Sequence, residues 1–159
     1  MKLKTLFAVA AAGLLSACLG DTTGSGTINI PAITPLPAGV DTVTTATGLK
    51  YADITVGTGT LAEDGRQVAV HYTGWLAATG EGFDTSQGFQ PLGFTLGAHQ
   101  VVAGFEQGVV GMKVGGKRRL IIPAALGYGA NEVRDQQGRV VIPANSALIF
   151  DVSLIAVAN

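Results

Sequence analysis

Residues 146–157 read SALIFDVSLIAV. Leu148, Phe150, Val152 and Leu154 alternate with Ile149, Asp151, Ser153 and Ile155. Successive side chains of a strand point to opposite faces, so this run has one wholly apolar face and one mixed face. An antiparallel sheet packed on one side requires that pattern.

Outward from this strand, shorter β-type runs occupy 50–56, 67–76, 93–96 and 117–122. One short helix is expected at 103–112, where Phe105, Val109 and Met112 recur at helical spacing and Glu106 and Gln107 fall on the other side. Of the 112 residues from 48 to 159, 18 are glycine, which favours strands and turns over a helical bundle. The expectation is an α+β domain, a bent antiparallel sheet packed against one short helix. A chain of that length buries one real core.

The full chain has 159 residues, 47% hydrophobic and 13% charged. The charged share is about half the usual ~25%. A net charge of −1 leaves no electrostatic footprint for nucleic acid. The single cysteine, Cys18, excludes an internal disulfide and a Cys-based zinc site. His71 and His99 alone do not make a typical zinc site, and no metal or cofactor is expected.

The N-terminus reads as an export signal. Lys2 and Lys4 precede a run of apolar and small residues that ends at Ser16-Ala17-Cys18. That run is too short for the ~20 residues of a membrane-spanning helix. Leu15-Ser16-Ala17-Cys18 resembles a bacterial lipobox, which implies cleavage after residue 17 and lipidation of Cys18. Cleavage removes two lysines and leaves eight basic against eleven acidic residues, a net of −3. Residues 18–47 are rich in Thr, Gly and Pro and carry no sustained period, so they read as a flexible tether. The alternative is that Ile28, Ile30 and Ile33 pack on the domain as an extra strand. Fully extended at ~3.3 Å per residue, 19–47 reaches roughly 95 Å.

Catalytic motifs are sparse. No GxSxG elbow occurs, the four Glu and seven Asp form no close pair, and Gly57-Thr58-Gly59 is a turn signal without a following helix. His71 reads as a structural sheet residue, His99 as exposed, and the Lys117-Arg118-Arg119 run as a solvated strand or turn edge.

The decisive feature is the order of several strings: VAVHYTGWL at 68–76, GEGFDTS at 80–86, PLGFTLGAHQVVAGFEQGVVGMKVGGKRRLIIPAALGYGA at 91–130, and VIPANSALIFDVSL at 141–154. In this order they resemble the FKBP-type peptidyl-prolyl cis-trans isomerases. The resemblance implies a five-stranded antiparallel sheet wrapped around one short helix, with an apolar prolyl pocket between them. By position it implies that Tyr72, Phe83, Asp84, Val101, Val102, Phe105, Tyr128, Ile142 and Phe150 line that pocket. Phe105 stands at the floor, where the best-known members carry Trp, and Leu92 stands where many carry an aromatic. From the residues alone, Phe105 and Phe150 read as core, and Asp84 as a turn or N-cap residue. The polar stretch 131–140 is longer than in the smallest members and is expected to overhang the pocket.

The expected activity is X-Pro isomerisation in exported proteins. A non-catalytic peptide-binding or chaperone module is the alternative that Phe105 and Leu92 leave open. The expected partners are proline-containing segments and possible macrolide inhibitors, on a monomer held to the membrane by lipid. The site is the periplasmic face of the outer membrane in a two-membrane cell, and the cell surface otherwise.

Overall fold

The computed structural model describes residues 29–158. The signal segment, Cys18 and the first part of the tether lie outside these residues. The strands are β1 (Val43–Thr44), β2 (Lys50–Thr55), β3 (Gln67–Leu76), β4 (Gly82–Thr85), β5 (Leu92–Thr95), β6 (Lys117–Ile122), β7 (Val133–Arg134), β8 (Val140–Ile142) and β9 (Leu148–Ala158). The helix α1 spans Ala103–Val109, and a 3-10 turn spans Ala124–Leu126.

The main sheet runs β1-β2-β6-β9-β3-β4, with β5 also paired to β3 and every pairing antiparallel. Its spine is the long β3–β9 ladder, from Gln67 opposite Ala158 to Leu76 opposite Leu148, with one irregularity between Ala69 and Val70. One strand of this spine, β9, is the run whose alternation is cleanest in the sequence. Leu148, Phe150, Val152 and Leu154 of β9 are all at most 1% exposed and face Phe105 and Val109 of α1 within one core.

The helix sits close because two of its residues have no side chain. A Cβ on Gly104 would collide with Ile122, and one on Gly108 would come within 2.5 Å of Leu120. Glycine inside a helix costs ~1 kcal/mol relative to alanine. Here it lets the helix backbone rest on β6. The helix stops at Val109, shorter than the expected 103–112, because Val110 turns extended and Gly111 takes φ +83°.

Two sequence expectations are corrected. The Lys117-Arg118-Arg119 run is not solvated: Arg118 and Arg119 are 8% and 5% exposed. Strand alternation sends them to opposite faces. Arg118 makes a two-pronged pair with Asp53 (2.6 and 3.0 Å), donates to the Gly108 carbonyl at the end of α1 (3.0 Å) and lies 4.3 Å over the Tyr51 ring. Arg119 makes the equivalent pair with Asp151 (2.6 and 2.8 Å) on the outer face.

From residue 30 onward the stretch read as a tether lies on the domain. Ile30 and Ile33 are half-buried, yet the chain there is not a strand. Trp75 Nε1 donates to the Pro31 carbonyl (2.8 Å) and Arg119 Nη1 to the Thr34 carbonyl (2.6 Å). Prolines at 31 and 35 withhold backbone donors, so this chain is held by side chains of the sheet rather than by ladder bonds. Further on, β1 pairs with β2.

Candidate functional site

The inner face of the sheet and α1 converge on a group of rings. Phe150 of β9 packs edge-on to Phe105 of α1 (centroids 5.2 Å apart) and to Phe83 of β4 (5.5 Å). Tyr72 of β3 meets Phe105 at 5.8 Å and Phe150 at 6.1 Å. Edge-to-face is the preferred geometry of aromatic pairs. Phe105 and Phe150 are fully buried, while Phe83 is half-buried.

Two residues missed in the sequence complete this arrangement. A Cβ on Gly74 would lie 2.7 Å from both Phe150 and Phe83, so the glycine of HYTG makes room for two rings. An isolated glycine inside a strand run is the available signal for such a close approach. Phe94 of β5 packs on Phe105 at 5.9 Å, and its alternation with Leu92 would have placed it.

The polar rim lies beside the rings. The Tyr72 hydroxyl donates to Asp84 Oδ2 (2.6 Å), and Asp84 Oδ1 accepts the Thr85 N–H (2.8 Å). Burial pushes the Asp84 carboxyl above its ordinary range, and these two hydrogen bonds oppose the shift. Asp84 is therefore the partner of Tyr72 and not an N-cap. Burial also raises the Tyr72 phenol far above its usual value, with the Asp84 hydrogen bond and charge adding to it. The Tyr128 phenol is raised by burial and then by the Asp84 charge. All three effects follow from placing polar atoms against apolar walls.

The strand β4 is pinned to β3 at the level of Tyr72. Ser86 Oγ accepts the Tyr72 N–H (2.8 Å), Thr85 Oγ1 donates to the Tyr72 carbonyl (3.1 Å), and the Thr73 and Thr85 hydroxyls lie 3.0 Å apart. His71 Nδ1 is 3.1 Å from Ser86 Oγ on the outer side. Ser86 is 6% exposed and engaged by backbone, so this pair is a strand link.

Val101 and Val102 stand half-buried where the chain enters α1. Val102 is the helix N-cap, and its carbonyl accepts Phe105 N (3.0 Å) and Glu106 N (3.1 Å). Its own N–H meets no acceptor among the described residues. The loop before it is held by Glu106, whose Oε1 accepts the N–H groups of Gly97 (2.9 Å) and His99 (3.2 Å). The His99 side chain is 87% exposed, as expected.

Ile142 is 2% exposed and is cross-paired with Val133 in the β7–β8 hairpin. The polar stretch 131–140 is thus an ordered hairpin. Arg139 bonds Asp135 (2.7 Å) and Arg134 bonds the Gly138 carbonyl (2.6 Å) across its tip. All nine sequence-derived positions belong to the core or pack against it, except Asp84, which Tyr72 holds at the edge of the ring group.

The ring group thus combines apolar surface at the half-buried Phe83, an open backbone N–H at Val102 and the Asp84 carboxylate at its edge. The sequence model of the FKBP-type peptidyl-prolyl cis-trans isomerase family matches residues 59–155. An FK506-binding protein of Neisseria meningitidis serogroup B is 46% identical over 111 residues, covering 69% of this chain and 96% of the relative. Another, from Streptomyces anulatus, is 49% identical over 110 residues, covering 69% and 86%. The crystal structure of a peptidyl-prolyl cis-trans isomerase from Pseudomonas syringae pv. tomato superimposes with a TM-score of 0.63 at 33% identity, covering 77% of this chain and 84% of that one. The chain belongs to the FKBP-type peptidyl-prolyl cis-trans isomerases, and its activity is rotation about the X-Pro peptide bond.

Proposed function

We propose that the cup formed by Phe83, Phe105, Phe150, Tyr72, Val101, Val102 and Ile142 receives the prolyl ring, and that catalysis rests on desolvation and orientation. The observation that carries this is the edge-to-face ring group with Tyr72–Asp84 at its rim.

The reaction needs no bond to carbon or hydrogen to break. Amide resonance sets a barrier of ~18–20 kcal/mol, and unaided X-Pro exchange takes tens to hundreds of seconds. At the transition state the C–N bond is twisted and the carbonyl is less polar than in the planar ground state. An apolar wall therefore disfavours the planar dipole relative to the twisted form, which is differential binding. The Val102 N–H anchors a peptide carbonyl, and Tyr128 and Asp84 orient the chain. A 10⁴-fold acceleration needs the barrier lowered by only ~5.4 kcal/mol. Phe105 in place of a larger indole keeps the floor apolar.

The same cup fits macrolides of the kind for which the FK506-binding relatives are named. The N-terminal pattern of an export signal and lipobox supports an enzyme outside the cytoplasm, tethered through Cys18 as a monomer and acting on exported chains. Leu19 after the lipidated cysteine lacks the aspartate that retains such proteins at an inner membrane, so the outer membrane is favoured in a two-membrane cell.

Isomerisation of a proline peptide is the test for the pocket. Phe83→Ala should depress kcat/KM strongly, and unchanged turnover would remove the cup from the mechanism. Metabolic labelling with a palmitate analogue tests the anchor. Cys18→Ser should abolish incorporation, and equal labelling of both proteins would sink the lipid reading.

A further inference from the structure

The face of the sheet turned away from the rings carries its own binding arrangement. Trp75 alternates with the core residue Leu76 and so points outward, yet it is only 3% exposed. Its cross-strand neighbour is Gly82, and a Cβ there would collide with Ile30. Arg119, 5% exposed and already paired to Asp151, still spends one guanidinium N–H on the Thr34 carbonyl. A buried indole N–H, a buried guanidinium and a strand glycine thus converge on one short extended segment. Each has a physical reason to favour that occupant. A buried donor left unmade costs ~1–3 kcal/mol, and a strand glycine without a purpose weakens the strand.

We propose that this outer face is an intramolecular docking site, and that residues 30–34 are its occupant: a strap that belongs to the folded enzyme. The strap is read through its backbone carbonyls at Pro31 and Thr34 and through Ile30 seated over Gly82. Ile33 lies against the turn before β4. Beyond the strap the chain continues to β1, at the opposite edge of the sheet from β4. The segment therefore crosses the sheet from the β3–β4 side to the β1 edge on the face opposite the rings.

One consequence rests on the lipid-anchor reading. With residues 30–34 fixed, eleven residues, 19–29, separate Cys18 from the strap in the sequence. At ~3.3 Å each they reach at most roughly 36 Å, so the strap stays within that distance of the lipid anchor.

Trp75 is the only tryptophan of the whole chain, so its fluorescence reports on the strap directly. The full chain is compared with Gly82→Ala, which pushes Ile30 away, and with Ile30→Asp, which makes its burial unfavourable. Both variants should shift Trp75 emission to longer wavelength, raise acrylamide quenching several-fold and speed exchange of the indole N–H, while proline-peptide isomerisation stays at the wild-type rate. Emission, quenching and exchange unchanged in both variants would overturn the proposal. Loss of isomerisation in step with the emission shift would overturn the separation of strap from cup. Neither readout depends on lipidation, so failure here is distinct from failure of the anchor.

Discussion

The two faces of the β6–β9–β3 sheet use the same strands for opposite purposes. On the inner face, Phe150, Val152, Tyr72 and Leu120 present carbon to α1, and charge is confined to the margins, with Asp84 at the rim, Glu106 on the helix and Arg118 paired to Asp53 under the helix end. On the outer face, Arg119, Asp151 and Trp75 are held by four hydrogen bonds, two within the Arg119–Asp151 pair and two to the strap. In the proposed mechanism the inner face has to be apolar because its surface is also the reaction medium. The outer face has no such constraint and uses directional bonds to hold a segment that has no hydrophobic period. Mutations on the two faces should therefore separate into those that couple stability to activity and those that do not.

The largest effect is expected at Phe150→Ala, since the ring is both core and cup. Urea denaturation should show a loss of ~3–5 kcal/mol, with isomerisation falling alongside. If stability collapsed while turnover of the remaining folded enzyme stayed normal, the inner face would not serve both roles. Arg119→Ala is the matching test outside. It leaves Asp151, with a side chain only 10% exposed, to Lys117 at 3.8 Å. Breaking a buried pair from one side costs about 3 kcal/mol. Denaturation should register that loss while kcat/KM at a temperature where the protein is folded does not change.

How much of this was readable in advance also divides by face. The inner face was legible because a two-residue period over 148–154 and a helical period over 105–112 require a packed interior, and the strands and helix fell within a few residues of expectation. The expectation that the interior doubles as a cup comes from the order of motifs such as HYTG and GFDTS, since periodicity cannot distinguish a core ring from a pocket floor. The outer face was not legible. Arg118 and Arg119 look solvated in the sequence because the carboxylates that bury them, Asp53 and Asp151, lie 65 and 32 residues away. The strap looked like a linker because its partners, Trp75 and Arg119, lie 44 and 85 residues away. Short β4 and the β7–β8 hairpin fell below the length at which a period can be recognised.

Smaller effects are expected at the rim. Asp84→Ala should weaken isomerisation without unfolding the domain. Tyr128→Phe should lower kcat/KM modestly and leave stability within about 1 kcal/mol of wild type. A loss at Tyr128 as large as that at Phe150 would place the hydroxyl at the centre of catalysis.

The smallest is a pH effect. Burial raises the Asp84 carboxyl in the folded state, so the folded protein holds that proton more tightly than the unfolded chain. The resulting contribution to stability is fully present below the ordinary carboxylate value and is lost as pH rises through the raised one. Thermal melts should therefore show wild type gaining on Asp84→Asn as the pH is lowered into the acid range. The opposite slope would mean that the Tyr72 and Thr85 hydrogen bonds outweigh burial.

The central claim is that the cup lowers the rotation barrier without a general acid or base. Of the two histidines, His71 is bonded to Ser86 on the outer side of β3, and the His99 side chain stands in solvent beside Glu106. The direct measurement is kcat/KM for a proline peptide from about pH 6 to pH 8, with wild type and His71→Gln side by side. The account predicts flat, superimposable profiles, because no group that titrates there takes part. A step near the ordinary histidine value of ~6.5 in the wild type, absent from His71→Gln, would contradict it.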